Sequence, residues 1–147
     1  MGGDLTTALD KVLHLSTLVA TDLARFEQSS GLTTPRIHLL WTLGQTGPST
    51  QQALATALGV TPRNVTGLVD GLVASGHVTR EPHPTDRRAR VVTPTVLGAR
   101  TIRALRDSHD DLARQLFGAV PAQRLAAFVT TLEETIATFE HLMTEGK

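Results

Sequence analysis

Arg63, Asn64 and Thr66 closely follow a Thr61-Pro62 pair. Threonine then proline reads as a helix start, with the threonine as N-cap and the proline first in the helix, where its missing N–H costs nothing. The first turns of that helix therefore carry Arg63, Asn64 and Thr66 together. A guanidinium pairs bidentately with the major-groove edge of guanine, and a carboxamide does the same with adenine. Thr61, and Thr50 at the start of a shorter helix, offer hydroxyls and backbone N–H groups of the kind that meet phosphate. A second set, Asp86-Arg87-Arg88 and then Arg90, sits in and just after the turn-rich run Pro82-His83-Pro84-Thr85. Arginines concentrated in a short loop are chemistry for a polyanion.

The charge distribution supports that chemistry, although the total does not. The 147-residue chain has 14 basic and 14 acidic residues. Residues 61–106 nevertheless carry a local net of +5, against −1 for residues 1–60 and −4 for residues 107–147. A basic middle on a neutral or acidic body is compatible with a polyanion-binding face and with a solvated charged surface.

The positioning elements can be read from the apolar periods. Leu5, Leu9, Val12, Val19, Leu23 and Phe26 mark a long amphipathic helix that ends at Ser29-Ser30-Gly31. Thr34 as cap and Pro35 open a second helix carrying Ile37, Leu40, Trp41 and Leu43. Thr50 caps a short helix with Leu54, Ala55 and Leu58; Gly59-Val60 turns the chain, and the Thr61 helix runs to Ser75-Gly76. Val78–Glu81 and Ala89–Thr93 read as two strands of a hairpin, a wing. Thr95 caps another long helix, closed by Gly118, and Pro121 opens the last one, with Leu125, Val129, Leu132, Ile136, Phe139 and Met143 along one stripe. Each of the three long helices spans roughly 35 Å. Their apolar surface exceeds what one winged unit covers, so it must meet itself or a second copy of the chain.

The pair of helices around Gly59 follows the grammar of a helix-turn-helix. Counting from Gln51, a small residue stands fifth (Ala55), a glycine ninth (Gly59), and apolar residues fifteenth and eighteenth (Val65, Leu68). Those places need, in turn, close helix crossing, tolerance of positive φ, and packing of the second helix. The expected fold is mainly α with a small β-wing: a winged helix-turn-helix flanked by long helices.

Other chemistries find little support. Without cysteine there are no disulfides, thiolate metal sites or cysteine nucleophiles. Gly71–Gly76 has phosphate-loop spacing, but His77 follows where lysine is required. No serine or threonine has a paired base at a recognisable spacing, so the chain does not read as an enzyme, and no cofactor is expected. None of the six histidines pairs with another at i,i+4 spacing on a helix. No apolar run reaches the ~18 residues of a membrane span and no signal sequence opens the chain, so a cytoplasmic protein with no membrane partner is expected.

The run Gln51–Val60, Thr61-Pro62-Arg63-Asn64-Val65-Thr66, Leu68-Val69-Asp70, Gly76-His77-Val78, Asp86-Arg87-Arg88 and Thr95 to Gly98 resembles the MarR family of bacterial transcriptional regulators. The long flanking helices extend the resemblance over essentially the whole chain. Pro94 stands where the family usually has leucine, and Gly67 and Gly71 occupy positions that more often carry longer polar side chains. The resemblance implies a homodimer: residues 1–33 and 96–147 form dimerisation helices around a winged region at 34–95, with the helix-turn-helix at 50–75 and the wing at 77–94, all in one structural domain. It implies double-stranded DNA as partner, with a recognition helix in each half of a near-palindromic operator and a wing tip in the adjacent minor groove. Arg88 is the expected minor-groove residue, oriented by Asp86, with Arg87 or Arg90 on the DNA backbone. It also implies a repressor released by a small aromatic or phenolic effector, for which His14, His38 and Trp41 are expected lining residues. Two alternatives remain: a metal-responsive regulator of the same fold, and a winged-helix interaction module with little DNA affinity.

Overall fold

A computed structural model describes residues 2–146. In chain order the elements are α1 (Gly2–Ser30), α2 (Thr34–Thr46), β1 (Ser49–Thr50), α3 (Gln51–Leu58), α4 (Pro62–Ala74), β2 (Val78–Pro82), β3 (Arg90–Pro94), α5 (Val96–Phe117) and α6 (Ala122–Glu145). Residues 1–106 and 107–147 form two compact units, with α5 beginning in the first and continuing into the second. No helix among the described residues is long and apolar enough to cross a membrane.

The core of the first unit draws on every helix of the winged region and on its two longer strands. Leu39, Leu40 and Leu43 of α2, Leu54 of α3, Val65, Val69 and Leu72 of α4, Val78 of β2 and Val92 of β3 are all fully buried. Leu68 and Trp41 pack at its margin. The three strands are antiparallel in the order β1-β3-β2, with Val92 opposite both Ser49 and Arg80. β1 was not expected: two residues are too few to show a period of two.

Helix ends follow local hydrogen bonding. Thr50 Oγ1 accepts the Ala53 amide at 3.1 Å and Thr61 Oγ1 accepts the Asn64 amide at 3.2 Å, so both threonines cap their helices. Gly59 turns the chain between them at φ 66°, a left-handed conformation that L side chains resist. Thr95 caps α5 by accepting the Gly98 amide at 3.1 Å. The cap of α2 differs from expectation. It is Thr33, one residue earlier, and the Thr34 hydroxyl instead donates to the Glu27 carboxylate of α1.

α5 enters the first unit through a close backbone approach. A Cβ at Gly98 would overlap the carbonyl oxygen of His77, which also accepts the Thr95 amide at 3.0 Å. Backbone cannot move aside as a flexible side chain can. Gly98→Ala is therefore expected to cost about 1–3 kcal/mol, the usual range for overpacking. Denaturant unfolding should show a lower midpoint at unchanged slope; a wild-type midpoint would contradict the packing.

Candidate nucleic-acid interface

The α4 surface is set by a polar chain that starts in the wing. Arg80 on β2 lies on the same strand face as buried Val78, two residues away, so its charge points towards the helices. Its Nε donates to Gln51 Oε1 at 2.8 Å, and its Nη2 meets the Asp70 carboxylate at 2.5 Å. Gln51 Nε2 in turn donates to Thr66 Oγ1 at 3.0 Å, and the Thr66 hydroxyl donates to the Pro62 carbonyl at 3.0 Å. One guanidinium thus ties β2 to the first residue of α3 and to two α4 positions, Thr66 and Asp70, one turn apart. Thr66 keeps a lone pair and its methyl group for an outside partner.

The other long polar side chains of this region are not used in that way. Arg63 and Asn64 on the first turn of α4, and Arg87, Arg88 and Arg90 in or beside the wing turn, are all exposed. Their side chains make no hydrogen bond or ion pair with the described residues. Asp86 acts on Arg88 through the backbone: its Oδ1 accepts the Arg88 amide at 3.0 Å. The caps at Thr50 and Thr61 leave their hydroxyl protons available to an acceptor.

Glycine at position 71 has a steric reason. A Cβ there would lie 2.5 Å from the Arg36 guanidinium, which rests on α4 with its Nε buried and unpartnered among the described residues. Gly67 faces open space, so it presents bare backbone beside Thr66. His77 is buried with Nδ1 2.7 Å from the Ser75 hydroxyl, and loss of solvation lowers its pKa below the usual imidazole value.

The residues expected to line an effector pocket occupy α1 and α2. His38 and Trp41 lie one turn apart on α2, His38 exposed and Trp41 partly buried against the core. His14 is exposed on α1. No group of three or more His, Asp or Glu side chains that could hold a metal ion is found among the described residues.

Sequence reasoning counted Arg80 as one more positive charge and did not assign Gln51 a role. The missed signal was strand parity, because a charge on the inward face of a half-buried strand needs a partner.

The MarR family model matches residues 32–89. The HTH-type transcriptional regulator Mb0904 of Mycobacterium bovis is 31% identical over 115 residues, 77% of this chain and 80% of that protein. YcgE, an HTH-type transcriptional regulator of Bacillus subtilis, is 38% identical over 77 residues; the match spans half of this chain and half the length of that relative. In fold, the chain is similar to FabT of Streptococcus pneumoniae in its crystal structure with DNA, with a TM-score of 0.75 at 18% identity over 88% of this chain and 94% of that one. The chain belongs to the MarR family of transcriptional regulators.

Replacing Arg80 with methionine keeps the aliphatic stem and removes the junction. Because Asp70 is largely exposed and can rehydrate, the expected loss is about 1–2 kcal/mol of stability, mostly from unpairing Gln51 and the charged hydrogen bonds. Thermal unfolding of the Arg80→Met variant at wild-type stability would show that the junction is idle.

Proposed function

We propose that the chain is a homodimeric repressor that binds a near-palindromic operator in cytoplasmic double-stranded DNA. The observation that carries this reading is the contrast among the arginines. Arg80 is consumed inside the fold, whereas Arg63 at the start of α4 and Arg87, Arg88 and Arg90 in or beside the wing turn have no partner among the described residues. The DNA-bound structure of FabT, which shares the fold, supports the same use of the scaffold. In this reading Arg63, Asn64 and Thr66 meet base edges in the major groove. Arg88 enters the adjacent minor groove, and Thr50, Thr61, Arg87 and Arg90 meet phosphates. Asp86 holds the Arg88 backbone.

The dimer is supported by apolar surface that one chain leaves open. No residue of α6 is buried, and Ile136, Phe139, Leu142 and Met143 are each more than half exposed. On α1, Leu5, Leu9, Leu13 and Leu18 are likewise more than half exposed. Each such side chain gains about 1.5–3 kcal/mol on full burial, so a second copy is a strong sink for these faces. Two recognition helices in a dimer must then match one turn of DNA, roughly 34–36 Å. A small aromatic or phenolic effector that binds beside His14, His38 and Trp41 and favours another spacing would release the operator, since α2 leads directly into the helix-turn-helix.

Binding to duplexes from the region upstream of its own gene tests the interface by fluorescence anisotropy. Asn64→Ala should lose ~1–3 kcal/mol of discrimination at one base pair. Arg88→Ala should weaken binding most where the flanks are A·T-rich, and wild-type affinity should fall steeply with salt. Wild-type affinity in the Arg88→Ala variant would remove the wing from the interface.

Ile136→Asp tests the dimer separately. Ile136 is 56% exposed in one chain, so the fold tolerates the charge, whereas a dimer interface does not. Sedimentation should show a dimer for wild type at micromolar concentration and a monomer for the variant. A monomeric wild type would refute the assembly.

A further inference from the structure

The wing turn is organised around one imidazole. His83 Nδ1 accepts the Asp86 amide at 3.0 Å and the Thr85 amide at 3.2 Å. The His83 amide donates to the Ala89 carbonyl and the Ala89 amide to the Asp86 carbonyl, each at 3.2 Å, which closes the hairpin. Asp86, held this way, then accepts the Arg88 amide at 3.0 Å. The order of contacts is His83 to Asp86 to Arg88.

We propose that His83 is a positioning residue of the wing: its neutral ring, with the proton on Nε2, receives two backbone amides at Nδ1 and thereby sets the Asp86 turn that aims Arg88. This deepens the DNA-binding reading and rests on it for its consequence, though not for its geometry. A ring nitrogen that accepts two N–H groups must carry a free lone pair. Protonation puts an N–H there, facing two other N–H groups with only the Thr85 hydroxyl, 3.4 Å away, to receive it, and the turn loses both amide bonds.

The surrounding charges are Glu81 on β2, Arg90 on β3, and Asp86, Arg87 and Arg88 in the turn itself. Glu81 accepts the Thr79 hydroxyl at 2.8 Å. Among side-chain types, histidine is the one that ordinarily changes charge between pH 5 and 8. A protonated ring adds a cation near any bound phosphate, which favours sequence-independent binding. It also releases the turn that directs Arg88, which weakens sequence-dependent binding. The two effects separate in the ratio of specific to non-specific affinity.

The decisive substitution is His83→Asn, because a carboxamide oxygen accepts amides two and three residues ahead in the same manner and does not titrate. In the free protein, nitrogen and amide NMR should find the His83 proton on Nε2 at neutral pH, and the Asp86 amide should shift with the midpoint of the His83 ring. In His83→Asn the Asp86 amide should stay in place. With an upstream duplex and a scrambled one as probes, the wild-type affinity ratio should fall on the order of tenfold as the ring gains its proton, the midpoint being read from the NMR titration itself. The ratio should stay flat for His83→Asn and be low throughout for His83→Ala. His77 is unchanged in every variant, so its titration cancels. An Asp86 amide that ignores the His83 ring, or a His83→Asn profile that follows wild type, overturns the proposal. Normal coupling of ring and amide in a protein that binds neither duplex would instead overturn the DNA reading and leave the positioning role standing.

Discussion

The exposed face of this protein depends on how one charge is satisfied. Arg80 brings a guanidinium to the inward side of β2, where it must find acceptors or pay for lost hydration. Gln51 and Asp70 supply them, and Gln51 passes the constraint to Thr66. β2, α3 and α4 are joined at that point by directional bonds, in addition to the non-directional packing of Val65, Val69 and Leu72. Hydrophobic burial holds α4 against the core. The buried Val65, Val69 and Leu72 stripe sets its rotation, and the junction adds directional bonds to the same register.

That division gives the arginines two kinds of work. Two close the fold as paired charges: Arg80 at the junction, and Arg106 against the Gly44 carbonyl, where a glycine lets Ile102 of α5 come close to α2. Those in the proposed interface are ordered by backbone instead, by the Thr61 cap before Arg63 and by the Asp86 bond to the Arg88 amide. Cations held by backbone keep their charge unspent. A chain with no net charge can then present a basic surface, because the acids of residues 107–147 lie elsewhere in the sequence.

Much of this was legible without coordinates. Ala55, Gly59, Val65 and Leu68 announced the helix-turn-helix because close crossing and positive φ restrict the residue type at fixed offsets. Thr50, Thr61 and Thr95 declared three helix starts, and proline after Thr61 sharpened one of them. What stayed hidden depends on distance along the chain or on competing local choices. Arg80 and Gln51 are 29 residues apart, so no local pattern links them. Gly71 stands in the sequence only as a position that more often carries a longer polar side chain; its reason, the Arg36 side chain lying on it, comes from α2. Thr33 and Thr34 could each have capped α2, and the carboxylate of Glu27, on another helix, took the second hydroxyl. The wing was visible as a turn-rich run between two short strands, but the part played by His83 follows from where one ring nitrogen points.

Footprinting on the region upstream of its own gene most directly tests the central claim, that α4 and the wing form a DNA interface repeated by a second copy. Guanine N7 protection reads the major groove, and hydroxyl-radical cleavage reads the backbone and minor groove. The account predicts two major-groove patches about 10 base pairs apart, each flanked by a protected minor groove, with the flanking protection lost in Arg88→Ala. One major-groove patch with no symmetric mate, or protection unchanged when Arg88 is removed, would contradict it.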